Sequence, residues 1–419
     1  MSFLINSRTL LSNRAGSLMD KSRNPIDSAF WILCIMGLFA ILSSTMSKNP
    51  VLKPFATSLQ TPEGFWLGFV ASASTIPGIL ISLPAASLSD IFGRRRVLIA
   101  SAVVFASAPF FYLLITVWWQ LVLVRFYHGF ATAIFVPVAQ ATIAEQFQAR
   151  RGERISLFSS ATAVGRGIAP FLGGYILFAT DYSYHTLYLA VGLAGAVALV
   201  TALLFLAERK NLAFQPSDST ETMSKMFQGW SGVAHNRGVL MVSFVQASQY
   251  YVYGAVEYFL VGYLKDIVEL DPFLIGIVMG SQVIIVIIAQ PYMGKVSDKV
   301  GRRIPIVVGS IISGLPLLAM PFTQQFPVLL FLSIMYGFGF AAVTASTPAL
   351  VSELVSPSLL GTAMGFLSTI MDVGQTLGPI ITAILLASNY GYKGSFVALT
   401  IVLFAVSLIF AVSKVVKET

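Results

Sequence analysis

Long apolar runs broken by short polar stretches set the pattern of this chain. A helix needs roughly 20 apolar residues to cross a hydrocarbon core of about 30 Å. Lipid cannot satisfy free backbone N–H and C=O groups, so runs of this length predict helices. Twelve such runs lie near 28–47, 64–89, 97–116, 119–145, 154–178, 184–207, 238–263, 273–294, 304–322, 326–354, 359–388 and 394–414. The first is expected to carry on past Asn49-Pro50 toward residue 59. Short loops make consecutive spans antiparallel neighbours. Residues 208–236, with Gln215-Pro-Ser-Asp-Ser-Thr-Glu221, form the one long polar connection. The expected organisation is therefore an N-terminal segment 1–27, a six-helix half 28–207, a linker 208–236, a second six-helix half 237–414 and a tail 415–419.

Composition agrees with this pattern. Of 419 residues, 56% are hydrophobic and 11% charged, with a mean hydropathy of +0.81. A soluble domain carries about 25% charged residues. The class is a polytopic all-α membrane protein, and unbroken runs argue against the alternating strands of a lipid-embedded barrel. The single cysteine, Cys34, excludes an intrachain disulfide. The three histidines are scattered without ligand spacing, so neither metal nor cofactor is expected.

The net charge of +8 has a topological reading. With both ends on one side, the alternate segments that include the termini hold twenty basic residues, and the opposite segments hold four: Lys48, Lys53, Lys265 and Lys393. Lys and Arg collect on the cytoplasmic side. Both termini are thus expected in the cytoplasm of a cell-membrane protein, and the charge needs no nucleic-acid partner. The first 25 residues carry Arg8, Arg14, Lys21 and Arg23 without a compact apolar core and cleavage site. The first span is expected to be retained as its own insertion signal.

A repeat of half the chain length underlies the pattern. Gly294-Lys-Val-Ser-Asp298-Lys-Val-Gly301-Arg302-Arg303 reads as a glycine-bounded charged loop between two runs. A near copy, Ala86-Ser-Leu-Ser-Asp90-Ile-Phe-Gly93-Arg94-Arg95, lies 208 residues earlier. Gly165-Arg-Gly-Ile-Ala-Pro170-Phe-Leu-Gly173-Gly174 in the fifth run is matched by Gly374-Gln-Thr-Leu-Gly378-Pro379 in the eleventh, with the same G-x₄-P spacing.

Together these features resemble the major facilitator superfamily over almost the whole chain. The repeated loop is similar to the family signature G-x-L-x-D-R-x-G-R-R, which the first copy leaves at Ala86 and Ile91. Arg125, Gly129, Pro137 and Glu145 of the fourth run resemble a second family motif. The fifth run is similar to the glycine- and proline-rich motif of the twelve-span drug:proton antiporters, departing at Ala169 and at the charged Arg166. The resemblance implies two pseudo-symmetric six-helix halves and transport by alternating access. It also implies that Asp90, Gly93, Arg94, Arg95, Glu145, Gly294, Asp298, Gly301, Arg302 and Arg303 gate the cytoplasmic side, with charge pairs among the charged members as the latch.

A charge inside a membrane span costs at least about 2.5–3.5 kcal/mol and should face a cavity or a partner. Four qualify: Arg125, Arg166, Glu257 and Asp372. Asp372 is the clearest lone acid. Burial raises a carboxylate's pKa and a nearby arginine lowers it, so these four are candidates for coupling transport to protons. The structural alternatives are a salt bridge for Asp372 and Arg166, and for Arg125 a tie from the fourth span to neighbouring backbone carbonyls. Glu257 is either a proton or cation site or a solvated vestibule residue. Arg125 and Arg166 could alternatively bind a substrate anion. The seventh run is the most polar. Gln246, Gln249, Tyr250 and Tyr253 share one face with Ser243 and Glu257, and with Gln140 and Gln375 they are the expected lining of a substrate cavity. Helix–helix bonding is the alternative for that face. Gly165, Gly167, Gly173, Gly174, Gly374 and Gly378 permit close helix packing, while Pro170 and Pro379 bend their helices.

The expected function is proton-coupled export of a small, largely apolar or drug-like compound, by a protein acting as a monomer in the bilayer. The alternative is a proton-coupled importer of a small organic anion. A non-transporting sensor would need a soluble domain or specialised tail. An enzyme is not expected, since no nucleophile–base pair stands out. The chain lacks a G-x₄-G-K-[ST] sequence, which disfavours an ATP-driven pump.

Overall fold

The computed structural model describes residues 25–81, 89, 92–146, 151–208, 233–356 and 359–413. Asp90 and most of the expected linker lie outside them, as do both chain ends. The described residues form helices. The first half holds α1a (Pro25–Met46) with α1b (Leu52–Ser58), α2a (Phe65–Ser72) with α2b (Ile76–Ile81), α3 (Arg94–Leu113), α4 (Trp118–Gln146), α5 (Arg151–Ala179) and α6 (Tyr184–Glu208). The second holds α7 (Arg237–Asp266), α8 (Pro272–Val300), α9 (Arg303–Ala319), α10 (Phe326–Leu354), α11 (Leu360–Ala387) and α12 (Gly391–Val412). Among the described residues nine helices are long and apolar enough to cross a membrane. The 30-residue α7 falls outside that set, since polar residues such as Gln246, Gln249 and Glu257 lower its hydropathy.

Three boundaries differ from expectation. The first span breaks after Met46, and Asn49–Pro50 is a cis peptide. The second span breaks at Ala73–Thr75. Pro77 causes this, because its ring would meet the carbonyl of Ala73 in a continuous helix. Local turns close the gap, with Thr75 N donating to Ser72 O and Gly78 N to Thr75 O. Finally, the eighth span does not stop at Gly294. It stays helical to Val300, where water can solvate Lys295, Asp298 and Lys299, and ends at Gly301. Gly301 has φ +84 and ψ 153, and Gly93 of the first copy has φ +87 and ψ 123. This backbone region is essentially closed to side chains with a Cβ. The second glycine of each signature copy therefore turns the chain, while Gly294 is an ordinary helical residue.

The packing repeats between halves. α1 lies on α5 as α7 lies on α11, α2 on α4 as α8 on α10, and α3 on α6 as α9 on α12. The two seams between halves, α2 against α11 and α8 against α5, correspond by the same repeat. Large apolar side chains such as Leu193, Leu123, Phe331 and Leu408 remain exposed. In a bundle of this composition they face lipid.

The seams are closed toward one end. Lys53 Nζ of α1b lies 3.7 Å from Asp266 Oδ2 at the end of α7. The Lys265 ammonium sits 4.6 Å from the Tyr182 ring. Gly68 of α2a packs on the Pro379 backbone and Gly174 of α5 on Gly276 of α8. Contacts between halves reach mid-span at Gly78–Asp372 and Gly167–Ile287. Toward the signature loops, the described ion pairs Arg94–Glu145 and Arg302–Glu353 each stay within one half.

Candidate functional site

Between the halves lies a cavity of about 610 Å³, lined by both. Its first-half wall is cationic. The break in α2 leaves the carbonyls of Val70 and Ala71 without helical partners, and Arg125 of α4 takes them. Its Nε donates to Val70 O at 2.8 Å, and its Nη2 donates to Ala71 O at 2.9 Å and to Ser74 Oγ at 2.8 Å. Gly129, one turn on, is pressed against the Ser74 carbonyl, so α4 and the α2 break fit only without a Cβ there. The guanidinium is 1% exposed, and Nη1 has no hydrogen-bond partner among the described residues. His128 packs edge-on to Phe105 and Tyr112. Arg166 lines the same cavity from α5.

The opposite wall is aromatic. Tyr250 and Tyr253 of α7 pack on Phe340 of α10 with ring centroids 5.2 and 5.1 Å away, and Tyr336 extends the layer. The acids close the space between the walls. Glu257 accepts a hydrogen bond from Asn49 Nδ2 at 3.0 Å, across the halves. The Asp372 carboxylate lies against Gly78 of α2b; a Cβ on Gly78 would come within 2.6 Å of Asp372 Oδ2. One turn along α11, Thr376 joins the same seam. Its carbonyl accepts from Ser72 Oγ at 2.6 Å, and its hydroxyl is 2.7 Å from that of Thr75.

All four charged candidates thus meet in one cavity, together with Tyr250, Tyr253, Gln140 and Gln375. Gln246 and Gln249 do not line it. Gln249 Nε2 donates to Ser310 Oγ at 3.1 Å, and Gln246 accepts from Thr347 Oγ1. These two glutamines tie α7 to α9 and α10, because the polar face of α7 is wider than the cavity. The glycines divide similarly. Gly165 and Gly173 meet the α1 backbone, and Gly374 and Gly378 meet that of α7, within their own halves. Gly167 and Gly174 meet α8 across the seam. Pro170 and Pro379 present their carbonyls to Gly276 and Gly68 of the other half.

Sequence reasoning placed Lys48 in an outer loop, but the structure puts it in the cavity wall at the break of the first span. The break at Asn49-Pro50 was the available signal, since a chain that leaves its helix early turns a neighbouring side chain inward. Glu353 was also missed. It accepts from Arg302 Nε at 2.8 Å, while Asp298 pairs with the same guanidinium from one turn before it. Burial opposes the Arg302 charge, but these two carboxylates outweigh it and hold the group above its ordinary pKa. In the first copy, Arg94 Nη2 lies 2.5 Å from Glu145. Arg303 donates to the backbone at the end of α12. Arg95 is half-buried at the start of α3.

A two-half helical bundle around a central cavity that holds charges of both signs is the architecture expected of a membrane transporter. The Major Facilitator Superfamily profile matches residues 29–265 and again 239–419, and the chain belongs to that family. It is a transporter and not an enzyme. The chain is similar to the multidrug resistance protein MdtG of Proteus mirabilis, 24% identical over 335 residues, covering 79% of this chain and 81% of that protein. It is likewise 24% identical over 380 residues to a multi-drug resistance efflux pump PmrA homolog of Lactococcus lactis, covering 86% and 89%. Among solved structures, a POT family transporter in complex with 5-aminolevulinic acid superposes with a TM-score of 0.75 at 12% identity, covering 91% and 94%. A bacterial homolog of the lysosomal transporter Spinster, inward-facing and unoccupied, gives 0.71 at 15% identity, covering 93% and 95%.

Proposed function

We propose that this protein exports small, drug-like compounds by alternating access, in exchange for protons. The observation that carries the reading is the cavity itself. It sits on the joint between the halves, it is sealed toward one end, and it offers an aromatic wall to an apolar solute while holding Asp372 and Glu257 beside three cationic side chains. A midplane site between repeats is what a rocking-bundle transporter uses. Relatives named for multidrug resistance support export of drug-like compounds.

On the orientation given by the basic residues, the sealed end is extracellular and the conformation is open to the cytoplasm. Protonation of a seam carboxylate would remove a charge that holds the halves together, so proton loading and the swing of the halves are linked. The contact of Asp372 with α2b of the other half supports that role for it, and the hydrogen bond from Asn49 of α1 supports Glu257 as the second candidate.

Reconstitution in liposomes tests this. A pH gradient is imposed, and lumenal pH is followed while aromatic test compounds are added. Proton movement opposite to the compound is the expected result. Movement in the same direction would instead establish an importer, and no coupled movement with any transported compound would remove both readings.

A further inference from the structure

The cavity carries more positive than negative side chains, and its buried donors are not all used. Lys48, Arg125 and Arg166 stand against Glu257 and Asp372, a formal surplus of one positive charge apart from His128. Surplus charge in a membrane cavity is costly and calls for a counter-charge. Arg125 is the most deeply buried of these cations. Three of its donor contacts serve the broken α2, and Nη1 is left over in a side chain that is 1% exposed. His128 Nε2, which lines the same wall, is likewise buried with no hydrogen-bond partner among the described residues. A buried guanidinium nitrogen without an acceptor is expensive, so a native structure that keeps one requires a reason.

Lys48 supplies the second half of the argument. The chain leaves the first span after Met46, which turns Lys48 into the cavity on the same side as Arg125 and His128, within the electrostatic reach of both. Glu257 and Asp372 are the counter-charges that act on it, and Glu257 also accepts from Asn49. The wall around Lys48 and Arg125 thus carries the positive surplus and is faced by Tyr250, Tyr253 and Phe340.

We infer that Lys48 and Arg125 form an anion subsite of the substrate cavity, and that the transported compounds carry an acidic group beside an aromatic or apolar body. This deepens the reading of the cavity as a transport site and rests on it. An acid at Arg125 Nη1 and Lys48 would supply the missing acceptors, while its apolar portion would lie on the aromatic wall. Lys48 is the specificity-determining residue of the pair, because Arg125 is also committed to holding α2. A lipophilic cation would leave those donors unpaired and add to the positive surplus.

The test is calorimetric titration of the purified protein in detergent with two probes of one shape and opposite charge, 1-naphthoate and (1-naphthyl)methylammonium. The carboxylate is expected to bind at least tenfold tighter. Lys48→Gln should remove that preference, and Lys48→Arg should restore most of it. Melting temperature and gel-filtration profile establish that each variant is folded. Equal binding of the two probes, tighter binding of the ammonium, no binding of the carboxylate, or a preference unchanged in Lys48→Gln would each overturn the subsite. Proton-coupled movement of an aromatic cation in liposomes would then leave the export reading standing without it.

Discussion

Arg125 donates its Nε proton to the carbonyl oxygen of Val70 at 2.8 Å, and so closes the end of α2a that Pro77 opens. The residue therefore braces the scaffold as well as charging the cavity. Lysine carries its three donors on a single nitrogen and cannot span the acceptors that Arg125 reaches with Nε and Nη2. Arg125→Lys should lower stability by about 2–4 kcal/mol, the scale of lost charged hydrogen bonds in a buried site. Thermal unfolding in detergent reads this directly, and an unchanged melting temperature would show that α2 holds its break unaided.

The glycines of the two repeats differ in what a methyl group would meet. At Gly378 a Cβ would overlap the carbonyl of Tyr251, whereas at Gly294 nothing lies within 4 Å. Gly378→Ala should cost about 1–3 kcal/mol by forcing α11 from α7. Gly294→Ala should be neutral, or stabilise by up to about 1 kcal/mol through helix propensity. A large loss at Gly294 would mean that another conformation of the protein uses that glycine.

Gly68 tests the sealed end. A Cβ there would lie 2.5 Å from Pro379 O and 2.6 Å from Ile380 Cα, both in the other half. Gly68→Leu should hold the halves apart and expose the cavity from that side. With Cys34 replaced by serine, a cysteine introduced at Tyr253 should react faster with an impermeant maleimide added outside intact cells. If the rate does not change, the α2a–α11 contact is not the gate.

Asp372→Asn keeps the size of the side chain and removes its charge. Accumulation driven by a pH gradient should fall at least tenfold, while exchange of labelled for unlabelled compound at equal pH persists. Retained coupling would shift the proton-carrying role to Glu257, which touches the other half through Asn49.

Asp298 shares Arg302 with Glu353, so its removal leaves the guanidinium paired. Asp298→Ala should change stability by less than about 1 kcal/mol, as expected of an exposed ion pair. If the signature latches the halves, the variant should still alter cysteine accessibility of the cavity from the cytoplasmic side. Unchanged labelling would restrict Asp298 to bracing α8.

How far each feature was legible follows from its range along the chain. Apolar runs and the repeats are local patterns, so the spans and the duplication could be read directly. Arg125, Arg166, Glu257 and Asp372 stood out because charge is scarce in spans. Gln246 and Gln249 were read with Tyr250 and Tyr253 because they share a helix face, but which part of a face meets a neighbouring helix depends on crossings that no local pattern encodes.

The amino-acid order alone determined a duplicated all-helical membrane bundle with charge held at a few positions, because lipid imposes length and composition on every span. Only the tertiary structure decided which charges meet. It turned Lys48 inward at a broken helix, set Asp372 against Gly78 of the opposite half, and committed Nε and Nη2 of Arg125 to the break in α2. The physical reason is that an unpaired group in low dielectric must find its partner in space, and these partners lie tens to hundreds of residues away.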